Sequence, residues 1–286
     1  MLTQAPAARS PPRASRRHGP AVHCGAVADR TPQPSPVEDR IAAARAAIAD
    51  NPVWYHAIEL APGVVTPGFV DHRPVTPKIL PRDLTGVRAL EVGTFDGHWS
   101  FAMEERGAQV TALDLPAFEG TNFPPIHRER LLREMSERDM ELGRGFRLAH
   151  EIRGSSVERL EVDVQSFAPE EVPGEYDLVF VGAILLHLRD PVGALERLHG
   201  CLRPGGRLIA FEAFSLAATL RSPRRAMATF ETVETAFNWW VPNLAALRAW
   251  FLTAGFVDVK RHAIMRPPTN PEMKGVNVLY TAKRGA

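Results

Sequence analysis

Residues 89–101 read Ala-Leu-Glu-Val-Gly-Thr-Phe-Asp-Gly-His-Trp-Ser-Phe, and this segment constrains the fold more tightly than any other. An apolar run ends in Glu91-Val-Gly93, a tight turn follows, and Gly97 opens a helix. Gly93 lets the backbone come close to a ligand, while Gly97 eases the packing of helix on strand. Many nucleotide-binding folds share a glycine turn of this kind, so alone it marks a place for a ligand and not the ligand's identity.

The strand–helix alternation continues downstream. Val87–Gly93, Gln109–Leu115, Val157–Val164, Tyr176–Gly182 and Arg207–Glu212 read as strands. Between them, 97–107, His127–Leu142 and Asp190–Leu202 read as helices, and Asn243–Ala254 reads as one more, stopped by Gly255. Pro204-Gly205-Gly206 predicts a turn into the fifth strand. Phe256–Ile264 and Val276–Ala282 predict two final strands joined as an antiparallel hairpin. Strands alternating with helices imply an α/β fold, a mostly parallel sheet covered on both faces. No internal repeat is visible.

The front of the chain differs in character. Residues 1–36 are rich in Pro, Ala and Arg and poor in large apolar side chains, which predicts a disordered tail. Pro36 with Glu38 and Asp39 carries helix-start signals, and Asn51-Pro52 ends that helix. Residues 52–85, with Trp54-Tyr55-His56 near their start, predict an extended strap across the main domain. The expected division is a tail (1–36), a helix and strap or lid (37–86) and a catalytic domain (87–286). Cap insertions are expected near 116–156 and 213–242.

Charge and cysteine content narrow the function classes. The 34 basic side chains meet 33 acidic ones, a net charge of +1, so no global field draws the chain to nucleic acid or an anionic membrane. The only cysteines, Cys24 and Cys201, form neither a disulfide framework nor a metal pair, and no His/Cys cluster or HExxH predicts a metal. No apolar run reaches the roughly 20 residues that span a bilayer, and the N-terminus lacks a secretory apolar core. The expected location is the cytoplasm, with no membrane partner and a homodimer left open.

The ligand comes from spacing. E-x-G-x-x-x-G is not the G-x-G-x-x-G of a dinucleotide site, and it sets Glu91 where a carboxylate can accept from an ammonium group. Asp114 ends the second strand, 17 residues past Gly97, where an acid can bind both ribose hydroxyls. No lysine follows the turn, as a phosphate-binding loop would need. A ligand with a ribose and an ammonium group but no phosphate fits S-adenosylmethionine (SAM).

These residues resemble the class I SAM-dependent methyltransferases, with Phe95 in place of a frequent middle glycine. Asp114 matches that family's ribose acid, Val162-Asp163-Val164 its adenine-side strand end, and Tyr176–Ala183 its fourth strand. Leu202–Leu208 is similar to its fifth-strand entry. The resemblance covers 87–283 and implies a Rossmann-like, seven-stranded, mostly parallel sheet with an antiparallel C-terminal hairpin. It implies cofactor contacts from Glu91, Gly93, Thr94, Phe95, Asp96, Gly97, Asp114, Leu115, Asp163, Val164 and Gly182. Leu185–Pro191 and Phe237–Leu244 further resemble the branch of the tRNA wobble-uridine carboxymethyltransferases and their bacterial relatives. The tRNA enzyme of that branch uses carboxy-SAM and has a Tyr before the motif's His. Here Leu186 holds that position, which favours plain SAM.

Several candidates carry two readings. His187, near the sheet's carboxyl edge, is a base for an acceptor proton or a packed pocket wall. Asn238, Trp239 and Trp240 lie in a linker that forms the acceptor pocket in this family, or they pack a cap; Leu186 belongs to the same pocket. Tyr55 and His56 close over the sulfonium from the strap, or simply hold the strap. Asp96 meets the methionine part or holds its turn, and Asp163 contacts ligand or caps a turn. Arg221, Arg224 and Arg225 face an anion, RNA phosphates or solvent. The expected function is SAM-dependent methylation of a small-molecule acceptor, for example a specialised metabolite. The alternatives are a tRNA-modifying methyltransferase, an enzyme that consumes SAM itself by cyclisation or lysis, and a non-catalytic SAM-binding module.

Overall fold

The computed structural model describes residues 35–233, 236–268 and 275–286. Residues 1–34 of the expected tail, including Cys24, lie outside the described residues. Helix α1 (Pro36–Asp50) starts on a capping box. The Ser35 hydroxyl accepts from the Glu38 amide at 3.3 Å, and the Glu38 carboxylate accepts from the Ser35 amide at 2.7 Å. Pro36 sits where its missing N–H costs nothing. The strap that follows carries a two-stranded antiparallel piece, β1 (Glu59–Ala61) with β2 (Val64–Val65), and the short helix α2 (Thr76–Ile79). It buries Trp54, Leu60 and Leu84.

Next come β3 (Arg88–Val92), α3 (His98–Glu104), β4 (Gln109–Asp114), α4 (Pro125–Glu137), α5 (Arg144–Arg153) and β5 (Glu158–Glu161). Then β6 (Tyr176–Val181), α6 (Pro191–Cys201) and β7 (Leu202–Ala213) lead to α7 (Leu216–Arg221). A small antiparallel pair, β8 (Ala228–Phe230) with β9 (Trp240–Pro242), precedes α8 (Leu244–Thr253), β10 (Val257–Met265) and β11 (Asn277–Lys283).

Seven strands form one sheet in the order β10-β11-β7-β6-β3-β4-β5. The pairs among β3, β4, β5, β6 and β7 are parallel, while β11 runs antiparallel to both β7 and β10. This is the Rossmann-like class I arrangement. Side-chain alternation along β3 splits the core. Leu90 and Val92 join α6 and α8 on one face, and Ala89 joins Trp99, Phe101 and Met103 of α3 on the other. Burial on both faces explains why β6 reads as an almost unbroken apolar run. Chain order reverses between β3 and β6, so the crevice beyond their carboxyl ends is the natural ligand position.

Three local expectations need correction. The stretch 127–142 is not one helix: α4 ends at Glu137, and Gly143, at φ +81°, opens α5, which the sequence reading missed. Pro204-Gly205-Gly206 is not a separate turn but an irregularity inside β7, with Gly205 at φ +73° and a register shift between Tyr176 and Leu178. The helix expected over 97–107 is shorter, because Gly107 at φ +92° belongs to the turn that leads into β4. Among the described residues, no helix is long and apolar enough to cross a membrane.

Candidate active site

The turn after β3 is held from both sides. Gly93, at φ +75°, donates its amide to the Leu113 carbonyl at 2.8 Å. A β-carbon there would come within 2.5 Å of Ile184 Cδ1, so the Ile184 side chain lies directly over the turn. Gly97, at φ +94°, has the rings of Phe101 and Phe146 where a side chain would be. Phe95 is left-handed too, at φ +50°, and its amide donates to Asp114 Oδ2 at 2.8 Å. That bond ties the glycine turn to the end of β4. Thr94 is fully buried, its hydroxyl 3.4 Å from that of Ser100.

Two buried carboxyl groups, Glu91 and Asp96, and the half-buried Asp114 gather here. Glu91 is 1% exposed and accepts a short hydrogen bond from the Ser100 hydroxyl; burial pushes it up to about 7. Asp96 is 2% exposed, and burial pushes it up to about 7 as well, against the pull of two amides. Asp114 is raised by burial, opposed by the Phe95 and Leu115 amides and by the Arg159 guanidinium. Asp114 acts electrostatically on both of the others, so the three form one group. Hydroxyls and amides are the direct partners of Glu91 and Asp96, and neither makes an ion pair among the described residues. Buried carboxylates without a paired cation favour a cationic ligand, because ligand charge relieves the cost of burial.

Asp96 does more than hold its own turn. Its Oδ2 accepts from the Tyr55 amide at 2.6 Å and from the His56 amide at 3.0 Å, across some forty residues of chain. The strap is thereby clamped over the glycine turn. The Tyr55 ring packs on Phe95 at 5.2 Å, and Phe95 packs on Phe118 at 6.3 Å. His56 faces the other way. Its ring is buried with His72 and His98, the three centroids lying 5.6–5.7 Å apart, and His98 Nε2 meets the Thr76 hydroxyl at 2.9 Å. Burial lowers all three, His72 to about 4 and His98 to about 3, so the cluster is neutral near pH 7.

The other expected cofactor residues spread along the carboxyl edge. Leu115 follows Asp114, and its carbonyl accepts from Arg159 at 3.0 Å. Asp163 lies two residues past β5 and caps its own turn through the Gln165 amide at 2.9 Å, while Val164 is buried in the core. Gly182 follows β6 directly, with Phe180 and Phe211 beneath it.

The second group lies across the crevice. Leu185–His187 is a 3-10 turn, held at its start by Glu212. The Glu212 carboxylate accepts from the Ile184 and Leu185 amides at 3.0 and 3.2 Å, and burial pushes it up to about 8. Sequence reasoning passed over Glu212, although it ends an apolar strand just as Asp114 does. His187 Nδ1 lies 3.0 Å from the Phe237 carbonyl. A carbonyl only accepts, so Nδ1 carries the proton and Nε2 of the neutral ring is the basic nitrogen. Burial lowers the imidazole, with the carbonyl opposing.

Trp239 closes this side. Its amide donates to the Leu186 carbonyl at 2.8 Å, its indole N–H donates to the Asn122 carbonyl, and the Arg189 guanidinium lies 5.5 Å from its ring centroid. Trp240 donates to the Arg189 carbonyl at 3.1 Å and packs on Phe230. Asn238 is half-buried between Phe237 and Trp239. The structure therefore joins Tyr55, Phe95, Asp96 and Asp114 in one group and Leu186, His187, Trp239 and Trp240 in another. Ile184, also missed from sequence, bridges them, since it covers Gly93 and its carbonyl accepts from the His187 amide. Among the described residues, no His/Cys/Asp/Glu group is arranged to hold a metal.

A family model described as a methyltransferase domain matches residues 70–261, more than half of the chain. The chain belongs to that methyltransferase domain family. Curated relatives include a tRNA U34 carboxymethyltransferase of Azotobacter vinelandii, 37% identical over 95 residues, covering 32% of this chain and 28% of the relative. Another, from Geobacter sp. (strain M21), is 28% identical over 191 residues, covering 64% of this chain and 49% of the relative. The match thus spans half or less of these relatives' length. Among solved structures, the N-terminal domain of EvdMO1, crystallised with SAH and D-fucose, superposes with a TM-score of 0.56 at 17% identity. It covers 86% of this chain and 97% of that one, a likeness of fold.

Proposed function

We propose that this chain is a SAM-dependent methyltransferase acting on a small-molecule acceptor. The observation that carries the reading is the carboxyl cluster of Glu91, Asp96 and Asp114 around a glycine turn, the first two buried and the third half-buried. A donor set of this kind suits a ligand that brings its own positive charge and no phosphate, as SAM does. Asp114 is assigned the ribose hydroxyls and Glu91 the ammonium end. The backbone of Gly93, Thr94, Phe95, Asp96 and Gly97 takes the methionine part, and Leu115, Asp163, Val164 and Gly182 border the adenine side.

When bound, SAM supplies a methyl carbon already activated by its sulfonium. The protein's task is then to orient the acceptor, exclude water and handle one proton. His187, with Nε2 basic and its ring neutral, is the group to take a proton from an acceptor hydroxyl. Tyr55 and Asn238 are assigned to orienting the acceptor, with His56 behind Tyr55. Leu186, Trp239 and Trp240 form the pocket wall. The near-neutral net charge supports a small acceptor.

RNA is the second reading, favoured by the relatives named as tRNA U34 carboxymethyltransferases. The test incubates purified protein with SAM alone, with tRNA, and with a panel of small hydroxylated and amine-bearing compounds, followed by mass spectrometry. S-adenosylhomocysteine that appears only with a small compound supports the proposal. Turnover only with tRNA moves the reading to RNA, and methylthioadenosine from SAM alone would show that SAM is itself the substrate.

A further inference from the structure

Away from the carboxyl-group crevice, the molecule has a cavity of about 550 Å³ between α8, the loop after α7 and the C-terminal strands. Arg224 from the loop, Arg248 from α8 and Arg261 from β10 all line it. Its floor includes Leu244, Val259 and Tyr280, and no carboxylate is among the lining residues. The Tyr280 hydroxyl is committed to the Leu244 carbonyl at 3.0 Å, so the guanidiniums are the free polar groups there. Among the described residues none of the three makes an ion pair, and on β10 the neighbouring acid, Asp258, pairs with Lys283 at 3.0 Å. Arg221, the last residue of α7, and Arg225, on the loop after it, stand exposed beside them. Asn243 fixes that loop against the start of α8, accepting from the Met227 and Ala246 amides and donating to the Ser222 and Arg225 carbonyls.

We propose that this cavity is a phosphate-binding site, separate from the methyl-transfer crevice. Three like-charged guanidiniums are brought to one cavity from three elements, and an anion with several oxygens offsets their repulsion through paired N–H bonds. The volume lies within the range of small-ligand pockets, so a phosphorylated metabolite or nucleotide fits. The same chemistry would grip the phosphodiester backbone of an RNA, with Arg221 and Arg225 extending the track.

The experiment compares the wild-type full chain with Arg248→Ala, Arg261→Ala and the triple variant that adds Arg224→Ala. Calorimetry with pyrophosphate and with adenosine monophosphate reads the free-ligand source. Fluorescence anisotropy with a labelled stem-loop RNA, across a salt series, reads the RNA source. These side chains are solvent-facing, so the variants should melt with the wild type and bind SAM equally. A site for a free phosphate predicts saturable binding of the small anions, weakened at least tenfold by the triple variant. An RNA site predicts salt-dependent RNA binding whose log–log slope shallows by about 2 in the triple variant, since each lost phosphate contact removes about 0.7. The proposal fails if no phosphate ligand binds, or if folded variants bind as the wild type does.

Discussion

Asp96→Ala should release the strap, and the size of the effect follows from two hydrogen bonds. The Asp96 carboxylate is the acceptor for the partly buried amide of Tyr55 and the buried amide of His56, at 2.6 and 3.0 Å. A buried amide left without an acceptor costs about 1–3 kcal/mol, so the alanine variant should lose about 2–6 kcal/mol. That is a large share of the roughly 5–15 kcal/mol that holds a domain of this kind together. Asp96→Asn should behave quite differently. It keeps an oxygen for both amides, and burial has already pushed the native carboxyl up to about 7, so losing the charge costs little. Urea unfolding should give a midpoint far lower for Ala than for Asn, with unchanged m-values. Hydrogen exchange should accelerate at Tyr55 and His56 in the alanine variant alone. Gly145→Ala supplies an independent arm. A β-carbon at that position would fall 2.2 Å from Asp96 Oδ1, so this exchange, normally favourable in a helix, should push the carboxylate off its amides and reproduce the alanine phenotype. Equal stability of Asp96→Ala and Asp96→Asn, with native protection at both amides, would refute the clamp.

Asp114→Ala should weaken SAM binding about 100-fold by calorimetry, the loss expected for two charge-assisted bonds; unchanged affinity would remove Asp114 from the ribose. SAM affinity should rise with pH and level off above about 7, where Glu91 and Asp96 ionise, by about tenfold per pH unit for each carboxyl that must lose its proton. Calorimetry in buffers of different ionisation enthalpy should then show proton release at pH 6, and its absence would exclude that coupling. Stability against pH should be nearly level between about pH 4.5 and 6.5, because two sets of buried groups oppose each other. His56, His72 and His98 are lowered, so their contribution is lost as pH falls below about 6.5. Glu91, Asp96 and Glu212 are raised, so the folded chain takes up their protons first and gains stability as pH falls through 8 to 7 and below. His72→Gln should tilt the profile toward greater stability in acid, and Glu212→Gln toward less, each by about 1.4 kcal/mol per pH unit. Identical profiles for the two variants would overturn this balance.

What could be read from sequence was local or periodic. The order of strands and helices follows from apolar runs separated by turn residues, and the glycine turn from Glu91, Gly93 and Gly97 within seven residues. Asp114 could be singled out as a candidate because it is an acid at the end of an apolar strand, where the structure ties it to the Phe95 amide. Glu212 met the same criterion at the end of β7 and went unrecognised, because nothing nearby in sequence shows that its amide partners come from Ile184 and Leu185. Helix α5 was missed since its buried side is only Gly145, Phe146 and Ala149, too narrow a stripe to stand out among the charged residues around it.

The remaining features depend on distance in the chain. Asp96 reads from sequence as a contact for the methionine part or as a turn residue, yet its carboxylate reaches residues some forty positions earlier, a partnership that no spacing rule encodes. The arginines show the same limit from the other side. Arg221, Arg224 and Arg225 are a visible cluster, and a cluster on a loop is by default a solvated one. Only the packing of α8 and β10 adds Arg248 and Arg261 and shapes an open cavity with no acid among its described lining residues. The glycine turn proposed for the cofactor is written in contiguous residues because one strand–turn–helix must shape it. The strap clamp and the arginine cavity are built where separate elements meet, so each needs the fold before its chemistry can be read.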